Sequence, residues 1–198
     1  MKKDIYIEKN KKDFMNVVKI DKLKIKYIIN YSLKDNFDYG LVYELMYIYG
    51  KRVSEVYNLH SSDIDLNNKS ITFKIDNAYV EYPLLANVEE HLTEHLNNHS
   101  EGYLFKHIAL DMDNFASKLN YYLKRFDDYC NVHITPRDFK RLRGQHLILD
   151  GVSVNIVQSL FCGKDICSTK RFLNYNGLIG VNEGIDSLDC VFSDFTDV

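Results

Sequence analysis

The chain has 198 residues, 45% hydrophobic and 27% charged, enough for one well-buried core and too few for two comfortable domains. Its formal net charge of −3 argues mildly against a nucleic-acid binder, but the distribution matters more: nine lysines lie between Lys2 and Lys26 and no lysine or arginine follows Arg171. No run approaches the ~20 apolar residues of a membrane span, no signal peptide is visible, and Cys130, Cys162, Cys167 and Cys190 lack paired or metal-finger spacing, so a soluble, cytoplasmic protein with reduced thiols is expected.

Residues 1–20 are a lead-in of mixed charge, in which Met15, Val17, Val18 and Ile20 suggest a short strand or helical turn. From Asp21, Leu23, Ile25, Ile28 and Ile29 recur at helical spacing until Lys34-Asp35-Asn36 breaks the pattern. Residues 39–49 place Leu41, Leu45, Met46 and Ile48 on a broad apolar face that should stop at Gly50. A further helix is expected through Ser54, Val56, Tyr57 and Leu59. Residues 69–75 and 79–84 read as two strands of a hairpin, turning at Asp76-Asn77-Ala78 and closed by Pro83. Helical patterns return over 87–98 and 113–129, the second carrying Phe115, Leu119, Tyr122, Leu123 and Phe126. After Pro136, residues 138–149 and 153–161 read as two helices around Asp150-Gly151, a pairing that a helix-turn-helix would share. This order predicts a mostly helical α+β domain over 21–178 with one small hairpin sheet. An acidic tail over 179–198 follows, with Glu183, Asp186, Asp189, Asp194 and Asp197.

Residues 47–65 read Tyr-Ile-Tyr-Gly-Lys-Arg-Val-Ser-Glu-Val-Tyr-Asn-Leu-His-Ser-Ser-Asp-Ile-Asp. This text resembles the first signature of the tyrosine recombinases, the phage-integrase family: Gly-x-Arg-x-Ser-Glu, a Leu, then Asp-Ile-Asp. Arg52 falls on the family's first catalytic arginine and Glu55 on the acid after it. The hairpin ending in Tyr82-Pro83-Leu84 resembles the family's β-hairpin, whose turn carries a catalytic lysine, and Lys74 lies one residue early of that place. From Pro136 to Thr169 the spacing follows the second signature, His-x-x-Arg, then Gly-His or Gly-Trp, then a nucleophilic Tyr three residues after a Thr. Here Arg137 stands at the His, Lys140 at the second arginine, Cys162-Gly163 at Gly-His and Phe172 at the Tyr. The resemblance covers about residues 20–175. It implies the family's mostly helical catalytic domain, no separate N-terminal DNA-clamping domain, as in the family's short members, and a phage, virus or mobile element as origin.

In that family a Tyr oxygen attacks a DNA phosphate and leaves a 3′-phosphotyrosyl link, with no metal and no cofactor. Positive groups must balance the charge growing on the phosphate oxygens. Lys140 keeps the attraction and loses the two-pronged fork of an arginine. Arg137 can hold a phosphate but, always protonated, cannot accept a proton as a neutral His does. Phe172 has no oxygen to form the covalent link. Tyr175, one helical turn later and roughly 5 Å along the axis, is the substitute candidate. Three readings stay open: a DNA-binding or regulatory relative without cleavage, an active recombinase using Tyr175 or a partner subunit's nucleophile, and a protein-interaction relic of the fold. In the first two the partners are double-stranded DNA and a second copy or a related recombinase subunit, with no membrane. The DNA surface would comprise Arg52, Arg137, Lys140, Arg141, Arg143, Lys170 and Arg171, with Lys74 joining them as a catalytic candidate. Without the resemblance the same cations read as a solvated helix face. His91, His95 and His99, spaced by four, read as a polar helix surface shared with Glu89, Glu90 and Glu94, so no metal ligands are assigned. His146 reads as a packing residue and His133 as a loop residue.

Overall fold

The structure is a computed structural model that describes residues 20–99 and 101–178. The lead-in up to residue 19 and the acidic tail lie outside the described residues. α1 (Lys22–Asp35) is opened by Asp21, whose carboxylate accepts the Lys24 N–H at 2.8 Å. Asn36 both ends α1 and starts α2 (Phe37–Ile48), its side chain accepting the Tyr39 N–H at 3.1 Å. The two helices approach so closely that a Cβ at Gly40 would lie 2.3 Å from the Leu33 backbone nitrogen. Leu23, expected on the apolar face of α1, is 78% exposed. Ile25, Ile28 and Ile29 take the inner face, and a residue two positions from Ile25 sits about 200° round the helix, on the far side.

α2 is the core of the domain. Every residue from Gly40 to Ile48 is buried, with α1, α4 and α7 packed round it. A helix buried on all sides must satisfy its polar groups internally. Tyr43 Oη donates to Leu119 O at 2.8 Å, and Tyr49 Oη, from the end of the helix, to Pro83 O at 3.0 Å. Glu44 accepts from Asn87 Nδ2 at 3.1 Å and pairs with His91 Nδ1 at 2.7 Å. His146 donates from Nε2 to Ile20 O at 2.8 Å, so its Nδ1 accepts from Tyr47 Oη, also at 2.8 Å. Burial lowers this imidazole to about 4, and the neutral ring fills the packing role expected of it.

After α3 (Val53–Tyr57) comes a three-stranded antiparallel sheet of β1 (Ile64–Asp65), β2 (Ser70–Ile75) and β3 (Ala78–Pro83), in that order. The hairpin turns on Asp76-Asn77, with Asp76 at φ 52°, the positive φ that two-residue hairpin loops require. α4 (Ala86–Asn98) and α5 (Met112–Leu123) follow. The single helix expected over 113–129 is broken by a 3-10 turn, Lys124–Phe126, before the short α6 (Asp127–Cys130). α7 (Pro136–Leu149) begins with Pro136 in its first turn, and Asp138 Oδ2 accepts from both Thr135 N, at 2.9 Å, and Thr135 Oγ1, at 2.8 Å. α8 (Val154–Phe161) and α9 (Ile166–Leu173) close the domain, α9 capped by Asp165, whose carboxylate accepts the Ser168 N–H at 2.7 Å. Asn174 then turns into the left-handed region at φ 53°, and Tyr175–Leu178 forms a separate 3-10 turn. Among the described residues no helix is long and apolar enough to cross a membrane, and Cys130, Cys162 and Cys167 are free thiols.

Candidate functional site

The α2–α3 corner, the hairpin turn, the start of α7 and the α8–α9 connection enclose a cleft of about 650 Å³. Five cations line it, Lys51, Arg52, Arg137, Lys140 and Lys164, against the two carboxylates of Asp76 and Asp165. The imbalance makes it a place for an anion.

Buried Glu55 organises one wall. Its Oε2 accepts the Arg52 N–H at 2.6 Å, and its Oε1 lies 3.6 Å from the Arg52 guanidinium, which stays largely exposed at the mouth. The same carboxylate stands 3.7 Å from Lys140 Nζ. Lys140 is buried, donates to Phe161 O at 3.5 Å and lies 5.0 Å over the Phe161 ring. Burial lowers its pKa, Glu55 works against that shift and the charge of Arg52 adds to it.

Lys51 is the residue that sequence reasoning missed. It follows Gly50, which bends the chain at φ 61°, and it is fully buried. Its Nζ sits 3.8 Å from the Tyr82 ring centroid and 5.2 Å from that of Phe73, and donates to Leu160 O at 3.3 Å. Burial pushes it down to about 7, and the neighbouring charge of Lys140 acts in the same direction. The one signal in the sequence is a lysine set just past the Gly50 that stops a helix with a broad apolar face.

Cys162 ends α8 at φ 50°, in the left-handed conformation that favours glycine, at the place where the signature has Gly. Tyr82 Oη donates to Leu160 O at 3.1 Å, which leaves the Cys162 thiol, 3.3 Å away, as the donor to Tyr82. At Gly163, where the signature has His, a Cβ would lie 2.6 Å from Thr169 Oγ1. Phe172 lines the cleft, edge-on to Phe161 with the centroids 6.2 Å apart.

The cleft therefore brings together Arg52, Arg137, Lys140 and Phe172. Lys74 is not among them. Side chains alternate along a strand, so Ile75 points into the cleft while Lys74 is exposed on the other face, its Nζ 5.9 Å from the Tyr79 ring. It lines a neighbouring hollow that also takes in Arg52, His60 and Tyr103. Arg143, counted with the basic cluster, is fully buried in the core, its guanidinium 5.6 Å from the Tyr47 ring. Arg141 is half-exposed and ion-paired with Asp138. Lys170 and Arg171 are exposed on α9, with Lys170 Nζ 5.1 Å over the Tyr175 ring. Tyr175 itself lies beyond the end of α9 and is not part of the cleft wall. The three histidines of α4 do not share a surface role: His91 pairs with Glu44, His95 is buried with Nε2 on Leu104 O at 2.9 Å, and His99 stacks on His107.

A sequence model of the phage integrase family matches residues 19–177. The tyrosine recombinase XerA of Thermococcus onnurineus (strain NA1) is 26% identical over 139 residues, covering 67% of this chain and 49% of that protein. A tyrosine recombinase of Pseudothermotoga lettingae is 24% identical over 158 residues, covering 76% of this chain and 54% of its own. The chain thus spans about half the length of these curated relatives. Among solved structures, XerA recombinase superposes with a TM-score of 0.65 at 15% identity, over 78% of this chain and 57% of that one. The Tn1549 transposon integrase in complex with transposon right end DNA gives 0.63 at 13% identity, over 88% and 64%. At these identities the structural likeness is one of fold.

Proposed function

Because this chain belongs to the phage integrase family, we propose that it holds duplex DNA in the cationic cleft without cutting it, as a DNA-binding or regulatory relative of the recombinases. The observation that carries this reading is Phe172. It lines the cleft beside Arg52, Arg137 and Lys140, and a phenyl ring supplies no oxygen for a phosphotyrosyl bond. No tyrosine is among the described residues of the cleft wall. Tyr175 is carried away by the left-handed turn at Asn174, and misplacement on the scale of a helical turn is far beyond the ~1 Å that catalysis tolerates.

The rest of the cleft is equipped for binding more than for chemistry. Arg52 and Arg137 are exposed cations at its mouth, suited to phosphate oxygens. Lys140 adds a point charge, which stands 3.7 Å from the buried Glu55 carboxylate rather than free in the cleft. Gly163 leaves no side chain to donate to a phosphate oxygen. The Tn1549 integrase, a protein of the same fold, is described on transposon-end DNA, which favours DNA as the partner here.

Duplex affinity should fall steeply with salt, and Arg52→Ala and Arg137→Ala should each reduce the slope of log K against log[salt] by about 1. On a nicked duplex the chain should form no covalent adduct. An adduct that disappears in Tyr175→Phe would overturn the reading in favour of an active recombinase. Absence of duplex binding at low salt would overturn it in favour of a protein-interaction role.

A further inference from the structure

Away from the cleft, Asp38, His99 and His107 converge from three separate parts of the chain. Asp38 lies in the first turn of α2, His99 caps the C-terminal end of α4, and His107 follows in the connection to α5. One ligand atom from each lies within 4.8 Å of the others. His107 Nε2 is 2.8 Å from Asp38 Oδ2. The His99 and His107 rings stack with centroids 4.1 Å apart and planes inclined by 13°. The His99 backbone N–H donates to His95 O at 2.9 Å, while among the described residues its imidazole makes ring contacts and no hydrogen bond.

Behind this trio stands His95, 1% exposed, with Nε2 against Leu104 O at 2.9 Å and Nδ1 3.2 Å from Asp38 Oδ1. With a proton on each ring nitrogen it donates to both acceptors, fixing the carboxylate's inner oxygen and leaving the outer one, Oδ2, to His107. A buried imidazole holding the far oxygen of a carboxylate is the kind of support that metal-binding carboxylates have.

We propose that Asp38, His99 and His107 form a binding site for a divalent ion of the zinc class. One carboxylate and two imidazoles suit Zn2+, which binds such donors at about 2.0–2.2 Å and in a tetrahedron holds them about 3.3 Å apart. Donors already within 4.8 Å of one another need close by only about 1.5 Å at most to reach that spacing, a movement side-chain rotation supplies. The lone pairs of stacked rings run side by side, so one imidazole must turn for both to meet the ion. The ion would take the place of the proton now shared between His107 Nε2 and Asp38 Oδ2, with a water in the fourth position. It would tie the 99–107 connection to the start of α2. That connection is already held to the α3–β1 segment, since Ser61 N donates to Gly102 O at 2.8 Å and Leu104 N to Leu59 O at 3.0 Å.

The test uses the full chain without a histidine tag, stripped of metal by chelator and titrated with Zn2+ by calorimetry and with Co2+ by visible absorption. The expected result is one ion per chain and a tetrahedral Co2+ spectrum. His99→Ala and His107→Ala should each weaken the affinity at least about tenfold, while His133→Ala, at a histidine paired with Asp127 elsewhere, should leave it unchanged. Both site histidines are exposed, so their variants are expected to fold, and circular dichroism without metal checks this. Failure to bind one ion per chain overturns the proposal, as does binding that His99→Ala and His107→Ala leave undiminished.

Discussion

Lys51 shows how a single residue sets the character of the cleft. Its ammonium is out of water and against two aromatic rings, and burial outweighs the attraction of those rings. The group titrates near 10.5 in the unfolded chain and at about 7 in the folded one. Between those values the unfolded chain carries a proton that the folded chain has released, so stability rises with pH across that window. Below 7 the full cost of burying the charge remains. Lys51→Met keeps the volume and removes the charge. At about pH 6 it should be more stable than the natural chain by about 1–4 kcal/mol, and the difference should narrow as pH rises toward 10. Urea unfolding at the two ends of the range measures this, and equal pH slopes for the two proteins would sink it. Little of this is legible in the sequence beyond the lysine's place just past an apolar helix. A lysine beside Arg52 reads as a solvated cation, and only the sheet laid over it by Phe73 and Tyr82 reverses that reading.

Elements were more legible than their junctions. The helices after Asp21 and Pro136 are expected where the structure has them, each with a cap at its start, whereas α9, opened by Asp165, carries no expectation of its own. The break within 113–129 carries no such local mark. There Tyr122 Oη donates to Asp35 at 2.9 Å and Arg125 pairs with the same carboxylate, partners on α1 that no local pattern announces. β1, two residues long, is too short to show an alternation. The hairpin is legible as a hairpin, and its register decides which side chains enter the cleft. Because a shift of one residue changes the face, Lys74 misses the cleft and Ile75 enters it. Ile75→Lys should therefore place an amine in the cleft and steepen the salt dependence of duplex binding by about 1 in slope, at a stability cost of about 1–3 kcal/mol for the lost apolar burial. An unchanged slope in a folded Ile75→Lys protein would show that the cleft is not where the duplex lies.

At the scale of the molecule, the cleft joins residues more than a hundred positions apart, from Arg52 to Phe172. Their shared spacing with a known signature made the fold readable, while the substitutions within it hid what the cleft does. What physically holds the distant parts together is Phe161. Its ring lies in a slot walled by glycines from two distant segments: a Cβ on Gly50 would be 2.2 Å from its Cε1, and one on Gly144 would be 2.9 Å from its Cε2. Its carbonyl accepts from Lys140, and its ring stands under the Lys140 amine and edge-on to Phe172. Gly50→Ala should destabilise through two separable effects, overpacking against this ring at about 1–3 kcal/mol and a left-handed φ of 61° that costs a non-glycine residue about 1 kcal/mol. Phe161→Leu removes the ring edge and leaves the backbone unchanged. In that background the overpacking part should disappear and the backbone part remain, so the two substitutions should couple by about 1 kcal/mol or more in a double-mutant cycle of urea unfolding. Strict additivity would mean that Phe161 does not fill the slot, and that the α8 wall of the cleft is held by something other than the ring.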